Sequence, residues 1–105
     1  MKTISKEELK DKLSNQDTVI IEVLKPEKYK KEHIKGAINI PLKKIATEAK
    51  KRFNMDQEIV VYCSDYECTS SPTAAKKLND AGFSNVYDYE GGKKEWKEAG
   101  YPMES

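Results

Sequence analysis

The apolar residues of this chain fall into short runs that are separated by charged segments. Residues 59–62 are entirely apolar and residues 18–23 mostly so, and both runs are rich in Val and Ile. Runs of this kind are typical of strands in a parallel sheet that is covered on both faces. Residues 37–40 and 85–89 form weaker runs, which we interpret as two further strands.

Between these runs the pattern indicates helices. Ser5 and Glu8 have the spacing of a capping box, and Ile4 and Leu9 that of a hydrophobic staple, so a helix is predicted to begin after Ser5. Further helices are predicted over residues 26–32, 42–53 and 72–81, and after the Gly91-Gly92 pair, with Gly82 ending the third of them. Alternating strands and helices predict an α/β domain with a largely parallel sheet.

Length and charge narrow the range of partners. The 105 residues, 37% of them hydrophobic, fit one domain spanning 1–105. The 19 basic and 18 acidic residues give a formal charge of +1, so we expect binding to neither nucleic acid nor a membrane surface. The charged first eight residues lack the apolar core of a secretory signal, and with two cysteines in the chain we expect a reducing cytoplasm.

Cys63 is the most informative residue, because it stands where the 59–62 strand gives way to the polar segment 64–71. In parallel sheets ligands bind beyond the carboxyl ends of the strands. We expect backbone N–H groups of this segment to converge near the thiol. We also expect Ser71 to be the N-cap of the next helix and Pro72 its first residue. Such a setting favours a thiolate over a thiol.

Three segments together resemble the single-domain rhodanese family of sulfurtransferases. They are Tyr29-x-x-x-His33-Ile34-x-Gly36-Ala37-Ile38-Asn39-Ile40-Pro41, then Val60-Val61-Tyr62-Cys63, and then Gly82-Phe83-x-Asn85-Val86-x-x-Tyr89-x-Gly91-Gly92-x-x-x-Trp96. The resemblance implies a mostly parallel five-stranded sheet flanked by helices. It also implies that Cys63 carries sulfane sulfur as a persulfide between a small-molecule or protein donor and a thiol acceptor, with no cofactor or metal.

The chain departs from the family pattern in three places. Glu22-Val23-Leu24 stands where the family commonly has Asp-Val-Arg, so some structural hydrogen bonds must be made differently. The active-site loop carries Asp65 and Glu67 but no base, which should make the thiosulfate dianion a poor donor. Finally, Cys63 and Cys68 resemble a subgroup with a longer Tyr-Cys-x-x-x-x-Cys loop.

The other loop residues have more than one interpretation each. Cys68 could resolve the Cys63 persulfide, relay its sulfur, or be an idle thiol that shapes the loop. Asp65 and Glu67 could select a neutral or cationic acceptor or be exposed loop charges. The hydroxyl residues could serve the site, although helix capping is favoured. The predicted substrate-binding loop comprises Ser64, Asp65, Tyr66, Glu67, Cys68, Thr69, Ser70 and Ser71.

Rival functions fit the sequence less well. A phosphatase or arsenate reductase loop would need Arg where Thr69 stands. A zinc site built from Cys63, Cys68 and His33 would lack a fourth ligand, and we assign His33 to the scaffold. The alternative that stays open is a rhodanese-fold module that senses redox state or binds a partner through a Cys63–Cys68 disulfide.

Overall fold

A computed structural model describes residues 2–105 and shows a five-stranded sheet at the centre. Its strands are β1 (Lys2–Thr3), β2 (Thr18–Glu22), β4 (Ile38–Asn39), β5 (Glu58–Tyr62) and β6 (Val86–Tyr89). The order across the sheet is β1-β6-β5-β2-β4, and every pairing is parallel. A separate antiparallel pair joins β3 (His33–Ile34) to β7 (Met103–Glu104).

Five helices flank the sheet. They are α1 (Lys6–Lys12), α2 (Pro26–Lys31), α3 (Ile45–Arg52), α4 (Ser70–Asp80) and α5 (Gly92–Glu98). Among residues 2–105, none of these helices has both the length and the apolar character needed to cross a bilayer.

Side chains on β5 alternate between two hydrophobic clusters, one on each face of the sheet. Ile59 and Val61 pack with α3 and α4, whereas Val60 and Tyr62 pack on the side of α1 and α5, where Trp96 is fully buried. Both sets are inaccessible to solvent. Burial on both faces is the reason the 59–62 run is continuously apolar, and it confirms the predicted α/β class.

The local predictions hold where capping chemistry is encoded in neighbouring residues. Ser5 and Glu8 form the predicted capping box of α1, and Gly82 has the positive φ of +108° that ends α4. The predicted 42–53 helix differs, because its first turn is a 3₁₀ helix over Leu42–Lys44 and α3 begins only at Ile45. The two-residue strands β1, β3 and β7 are too short to leave a periodic pattern and were not predicted.

Candidate active site

Cys63 directly follows β5 and is clamped by the first turn of α5. Its carbonyl accepts the N–H of Lys93 at 3.0 Å, and the Ser64 carbonyl accepts the N–H of Lys94 at 2.9 Å. These two N–H groups lie at a helix start, where they have no partner within the helix. The backbone at the end of β5 is thereby fixed on α5, and Cys63 is 1% exposed.

Ser71 makes the closest polar contacts with the Cys63 sulfur. Its backbone N and its Oγ each lie 3.4 Å from Cys63 Sγ. The predicted N-cap was wrong, because α4 begins at Ser70 and Thr69 is the N-cap residue, without a side-chain capping bond. Ser71 lies in the first turn of α4, and Pro72 follows it. A backbone N–H in the first turn has no partner within the helix, and that of Ser71 points to the Cys63 sulfur.

Cys63 and Cys68 are joined by a disulfide, with their Cα atoms 6.4 Å apart. The sulfur of Cys63 is therefore uncharged in this structure, and the thiolate expected from the sequence remains a prediction for the reduced protein. The disulfide shows that the loop can bring Cys68 into bonding contact with Cys63. This contact is the geometric requirement for a resolving thiol.

The loop amides do not converge on Cys63 as expected. The N–H groups of Glu67 and Cys68 donate to Asp65 Oδ1 at 3.0 and 3.1 Å, and the Cys68 N–H also lies 3.2 Å from the Asp65 carbonyl. Asp65 thus forms an Asx turn that shapes the loop. Neither interpretation offered by the sequence, an acceptor selector or an exposed loop charge, includes this structural role.

Tyr66 and Glu67 are exposed at the tip of the loop, with Tyr66 at 67%. The Tyr66 hydroxyl donates to Glu95 Oε2 at 2.7 Å, while Tyr89 of β6 donates to the other oxygen at 2.8 Å. Beside the loop lies a cavity of about 290 Å³, whose charged lining residues are Asp65, Glu67, Lys94, Glu95 and Glu98. Acidic groups therefore outnumber basic ones at this cavity.

The remaining loop hydroxyls contribute less to the site. The Thr69 carbonyl accepts both the N–H and the hydroxyl of Thr73, and Ser64 is tied to α5 through its carbonyl. Ser70 is the first residue of α4 and is half-buried. Of the predicted hydroxyl residues, the structure brings only Ser71 to the Cys63 sulfur within residues 2–105.

Comparison with protein families identifies the fold. The model of the Rhodanese-like domain matches residues 5–99. The chain belongs to the rhodanese-like family. A thiosulfate sulfurtransferase, GlpE of Coxiella burnetii, is 32% identical over 96 residues, which cover 91% of this chain and 87% of GlpE.

Two further proteins resemble this rhodanese-like domain, and one of them is a much longer protein. The HTH-type transcriptional regulator Rv0324 of Mycobacterium tuberculosis is 33% identical over 101 residues, 96% of this chain, but the chain spans only 44% of that regulator. The solution structure of the rhodanese-like domain of the Alr3790 protein from Anabaena superposes with a TM-score of 0.90 at 27% identity. The match covers 100% of this chain and 80% of that one.

A buried polar network supports the carboxyl end of β2. Glu22 is inaccessible to solvent, accepts a hydrogen bond from the Tyr62 hydroxyl at 2.9 Å, and has Lys93 Nζ 3.1 Å from its other oxygen. Burial raises the pKa of Glu22, while Lys93 and Tyr62 oppose the rise. The cation beside this carboxylate therefore comes from α5, a long-range pairing that the Glu22-Val23-Leu24 segment could not reveal.

His33 lies in the scaffold, as the rhodanese-like pattern indicated. Its ring stacks on Tyr29 with centroids 3.8 Å apart, and Nδ1 donates to the Tyr29 carbonyl at 2.8 Å. Nε2 lies 3.5 Å from Glu104. Across residues 2–105, no group of three His, Cys, Asp or Glu side chains is placed to hold a metal ion.

Asp88 is a residue of the site that sequence reasoning missed. It lies on β6, is 1% exposed, and lines a small cavity together with Cys68 and Ser71. Burial raises the pKa of Asp88, the Ser71 hydroxyl opposes the rise, and Glu90 adds to it. A sequence signal existed, because an acid in the centre of a strand from a doubly covered sheet breaks the apolar pattern.

Proposed function

We propose that this protein is a sulfurtransferase that carries sulfane sulfur as a persulfide on Cys63 and passes it to a thiol or another nucleophilic acceptor. The observation that carries the proposal is the pair of Ser71 donors, each 3.4 Å from Cys63 Sγ at the start of α4. Two hydrogen-bond donors and the positive end of a helix stabilise an anionic sulfur. The kinship with GlpE supports the same reaction class.

The proposed reaction is two displacements at sulfur. The Cys63 thiolate attacks the outer sulfur of a donor persulfide, R–S–S⁻, which forms the S–S bond of the Cys63 persulfide and releases R–S⁻. An acceptor thiolate then attacks the outer sulfur of that persulfide and regenerates the Cys63 thiolate. Both steps conserve charge and need no oxidant, reductant or cofactor.

Cys68 supplies a third step when no acceptor arrives. Its thiolate attacks Cys63 Sγ of the protonated persulfide, forms the Cys63–Cys68 disulfide and releases HS⁻. The Cys63–Cys68 disulfide of the structure is the bond that this step would form. This step supports our proposal that the chain is of the Tyr-Cys-x-x-x-x-Cys subgroup and that Cys68 controls the lifetime of its persulfide.

The donor is proposed from charge. The cavity beside the loop is lined by Asp65, Glu67, Glu95 and Glu98 with Lys94. A dianion such as thiosulfate is repelled by these carboxylates, whereas a low-molecular-weight or protein persulfide carries less charge. We propose that persulfides, met in the cytoplasm, are better donors than thiosulfate.

Intact-protein mass spectrometry tests the proposal. The reduced protein is incubated with a low-molecular-weight persulfide, and the donor is removed before the spectrum is recorded. We expect Cys68→Ser to gain one sulfur atom and to lose it to an added thiol, and Cys63→Ser to gain none. Loading of Cys63→Ser to the same extent would overturn the role of Cys63.

The same spectra separate transfer from pure redox sensing. A module that only senses redox state forms the Cys63–Cys68 disulfide in the wild type but never holds sulfur on Cys63, even in Cys68→Ser. A transferase loads Cys63 in that variant. The Cys68→Ser spectrum therefore decides between the two functions.

A further inference from the structure

The Asp88 carboxyl lacks the partners that a buried carboxylate requires. It is 1% exposed, and neither of its oxygens has a hydrogen-bond partner among residues 2–105. It faces a cavity of about 20 Å³ that Ser71 and Cys68 also line, which is space for about one water-sized group. A buried ionised carboxylate without donors is strongly disfavoured, so this environment favours the neutral acid.

The Ser71 hydroxyl contacts Cys63 Sγ and also lines the cavity that Asp88 faces, close enough to oppose the rise in the pKa of Asp88. A disulfide sulfur carries no hydrogen, so the hydroxyl must be the donor in the 3.4 Å contact between Ser71 Oγ and Cys63 Sγ. While that bond holds, Ser71 can only accept from Asp88, which requires a protonated carboxyl. If Asp88 ionises, it competes with Cys63 for the same hydrogen.

The charged groups around Asp88 add to this competition. Glu90 lines the same cavity and disfavours a second negative charge, and the Tyr66 phenol there is neutral at physiological pH. The neighbouring strands pair Asp88 with Val61 of β5 and Thr3 of β1. The nearest base along β1, Lys2, lies over the Tyr87 ring at 5.4 Å from its centroid.

We propose that Asp88 is a positioning residue that keeps its proton while Cys63 is anionic, and that the two groups share the Ser71 hydroxyl. A neutral Asp88 leaves the hydroxyl with the sulfur, whereas an ionised Asp88 withdraws it and adds a negative charge beside Cys63. The inference rests on the proposed function, since it concerns the charge of the sulfur that would carry the sulfane atom. The assigned chemistry is a shared hydrogen bond: the proton that Cys63 loses on ionisation goes to solvent, Asp88 keeps its own, and no sulfur–sulfur bond is made or broken.

Sharing of the Ser71 hydroxyl has a measurable consequence in the reduced protein. Two coupled acids titrate in two macroscopic steps that belong to the pair. The reactivity of the Cys63 thiolate should therefore rise over a broad pH range in a Cys68→Ser background. Asp88→Asn keeps the neighbour neutral at every pH, so the rise should become one narrower step that is complete at a lower pH.

Alkylation of Cys63 by iodoacetamide measures this titration without any sulfur donor. The rate is followed against pH in Cys68→Ser, with and without Asp88→Asn. The effect of Asp88→Asn is then measured again in a Ser71→Ala background. There it should shift the pH profile of alkylation clearly less, because the shared hydroxyl is gone. Glu90→Gln, which neutralises the other acid at the cavity, should shift the midpoint less than Asp88→Asn. An unchanged profile in Asp88→Asn, or an equal shift in Ser71→Ala, would overturn the inference.

A second measurement avoids substitution of Asp88. The carboxyl ¹³C shift of Asp88 is titrated in Cys68→Ser and in Cys63→Ser/Cys68→Ser, both reduced. We expect the Asp88 midpoint to fall when Cys63 is replaced, since its anionic neighbour is lost, and equal midpoints would refute the coupling. Neither titration depends on sulfur transfer. A failure of Cys63 to take up sulfur would therefore count against the proposed function and not against the coupling between Asp88 and Cys63.

Discussion

Gly92 approaches the carbonyl of Cys63 so closely that a Cβ at position 92 would lie 2.5 Å from that oxygen. The same Cβ would lie 2.7 Å from the Ser64 carbonyl carbon and 2.8 Å from the Asp65 nitrogen. Gly92 also has a φ of +64°, a conformation that L-residues with side chains rarely adopt. Position 92 therefore determines how tightly α5 holds the active-site loop.

We expect Gly92→Ala to destabilise the protein by roughly 3 kcal/mol or more, because backbone strain and a clash with the loop add together. Gly100→Ala is the matched control, since Gly100 has a φ of +74° but nothing within 4 Å of a Cβ. It should cost only about 1–2 kcal/mol. Urea unfolding of both variants gives the two losses in the free energy of unfolding. Equal losses would show that the close approach of Gly92 to the loop does not contribute to stability.

Lys93→Met leaves the buried Glu22 carboxylate without its cation. A buried charge stripped of its partner costs about 3–5 kcal/mol, so we expect a loss of this size at neutral pH. Lys97→Met is the control, because Lys97 pairs with Glu32 at the surface, where such a pair is worth about 0–1 kcal/mol. Unfolding by urea at pH 7 measures both losses.

The loss in Lys93→Met should also depend on pH. Without Lys93, the raised pKa of Glu22 rises further, so the folded protein keeps a proton that the unfolded chain has released. Stability then falls as pH rises from the ordinary Glu value of 4.5 through the raised one. The difference from wild type should shrink on acidification towards pH 4.5, and a difference independent of pH would contradict this account.

Asp65→Ala should weaken the Cys63–Cys68 disulfide. The substitution removes the acceptor of the Glu67 and Cys68 N–H groups, so the loop must be ordered again whenever the disulfide forms. At about 1 kcal/mol for a hydrogen bond, the oxidation equilibrium with glutathione should shift roughly fivefold or more towards the dithiol. Asp65→Asn keeps Oδ1 and should stay near wild type. A similar shift of the oxidation equilibrium in Asp65→Ala and Asp65→Asn would show that the lost negative charge, and not the lost hydrogen bonds, is the cause.

Cys68→Ser should lengthen the lifetime of the Cys63 persulfide. A thiol held in the same short loop has an effective concentration in the millimolar range, so its removal should slow sulfide release roughly tenfold or more. Sulfide release from preloaded protein, followed over time, gives the rate. Loss of sulfur loading in Cys68→Ser would instead make Cys68 essential for the transfer itself.

Glu67→Lys should improve thiosulfate turnover more than persulfide turnover. Each like charge near a dianion in a partly solvated site costs on the order of 1 kcal/mol, or roughly fivefold in affinity. Glu67→Gln should therefore give about half the free-energy gain of Glu67→Lys, and salt should affect the lysine variant most. Steady-state KM values for both donors test the series, and a wild type that prefers thiosulfate would refute the argument.

The sequence predicts those parts of the fold that local chemistry determines. The continuous apolar run before Cys63 predicts a central strand, and Ser5 with Glu8 predicts the start of α1. The two-residue strands β1, β3 and β7 could not be predicted, because a strand such as β1 is held only by its pairing with β6, which is distant in the chain. The strand propensity of only two residues is too weak a signal to predict a strand.

The site was predicted less completely than the fold. The apolar run before Cys63 predicted its position at a strand end, and the structure brings Ser71 and Cys68 to it. The turn formed by Asp65 and the buried acid at Asp88 depend on three-dimensional packing. Asp88 in particular reaches the site from β6, which is next to β5 in the sheet but distant in the chain, so no spacing near Cys63 could indicate it.

The active-site loop is held at both ends, by α5 at Cys63 and Ser64 and by the first turn of α4 at Ser70 and Ser71. The segment between them contributes little to the core. Lengthening such a segment costs little, about 0.6 kcal/mol for each doubling of its length. The scaffold can therefore accept loops of other lengths and charges at this one place, and under the proposed function a grafted loop would change the sulfur donor without redesign of the domain.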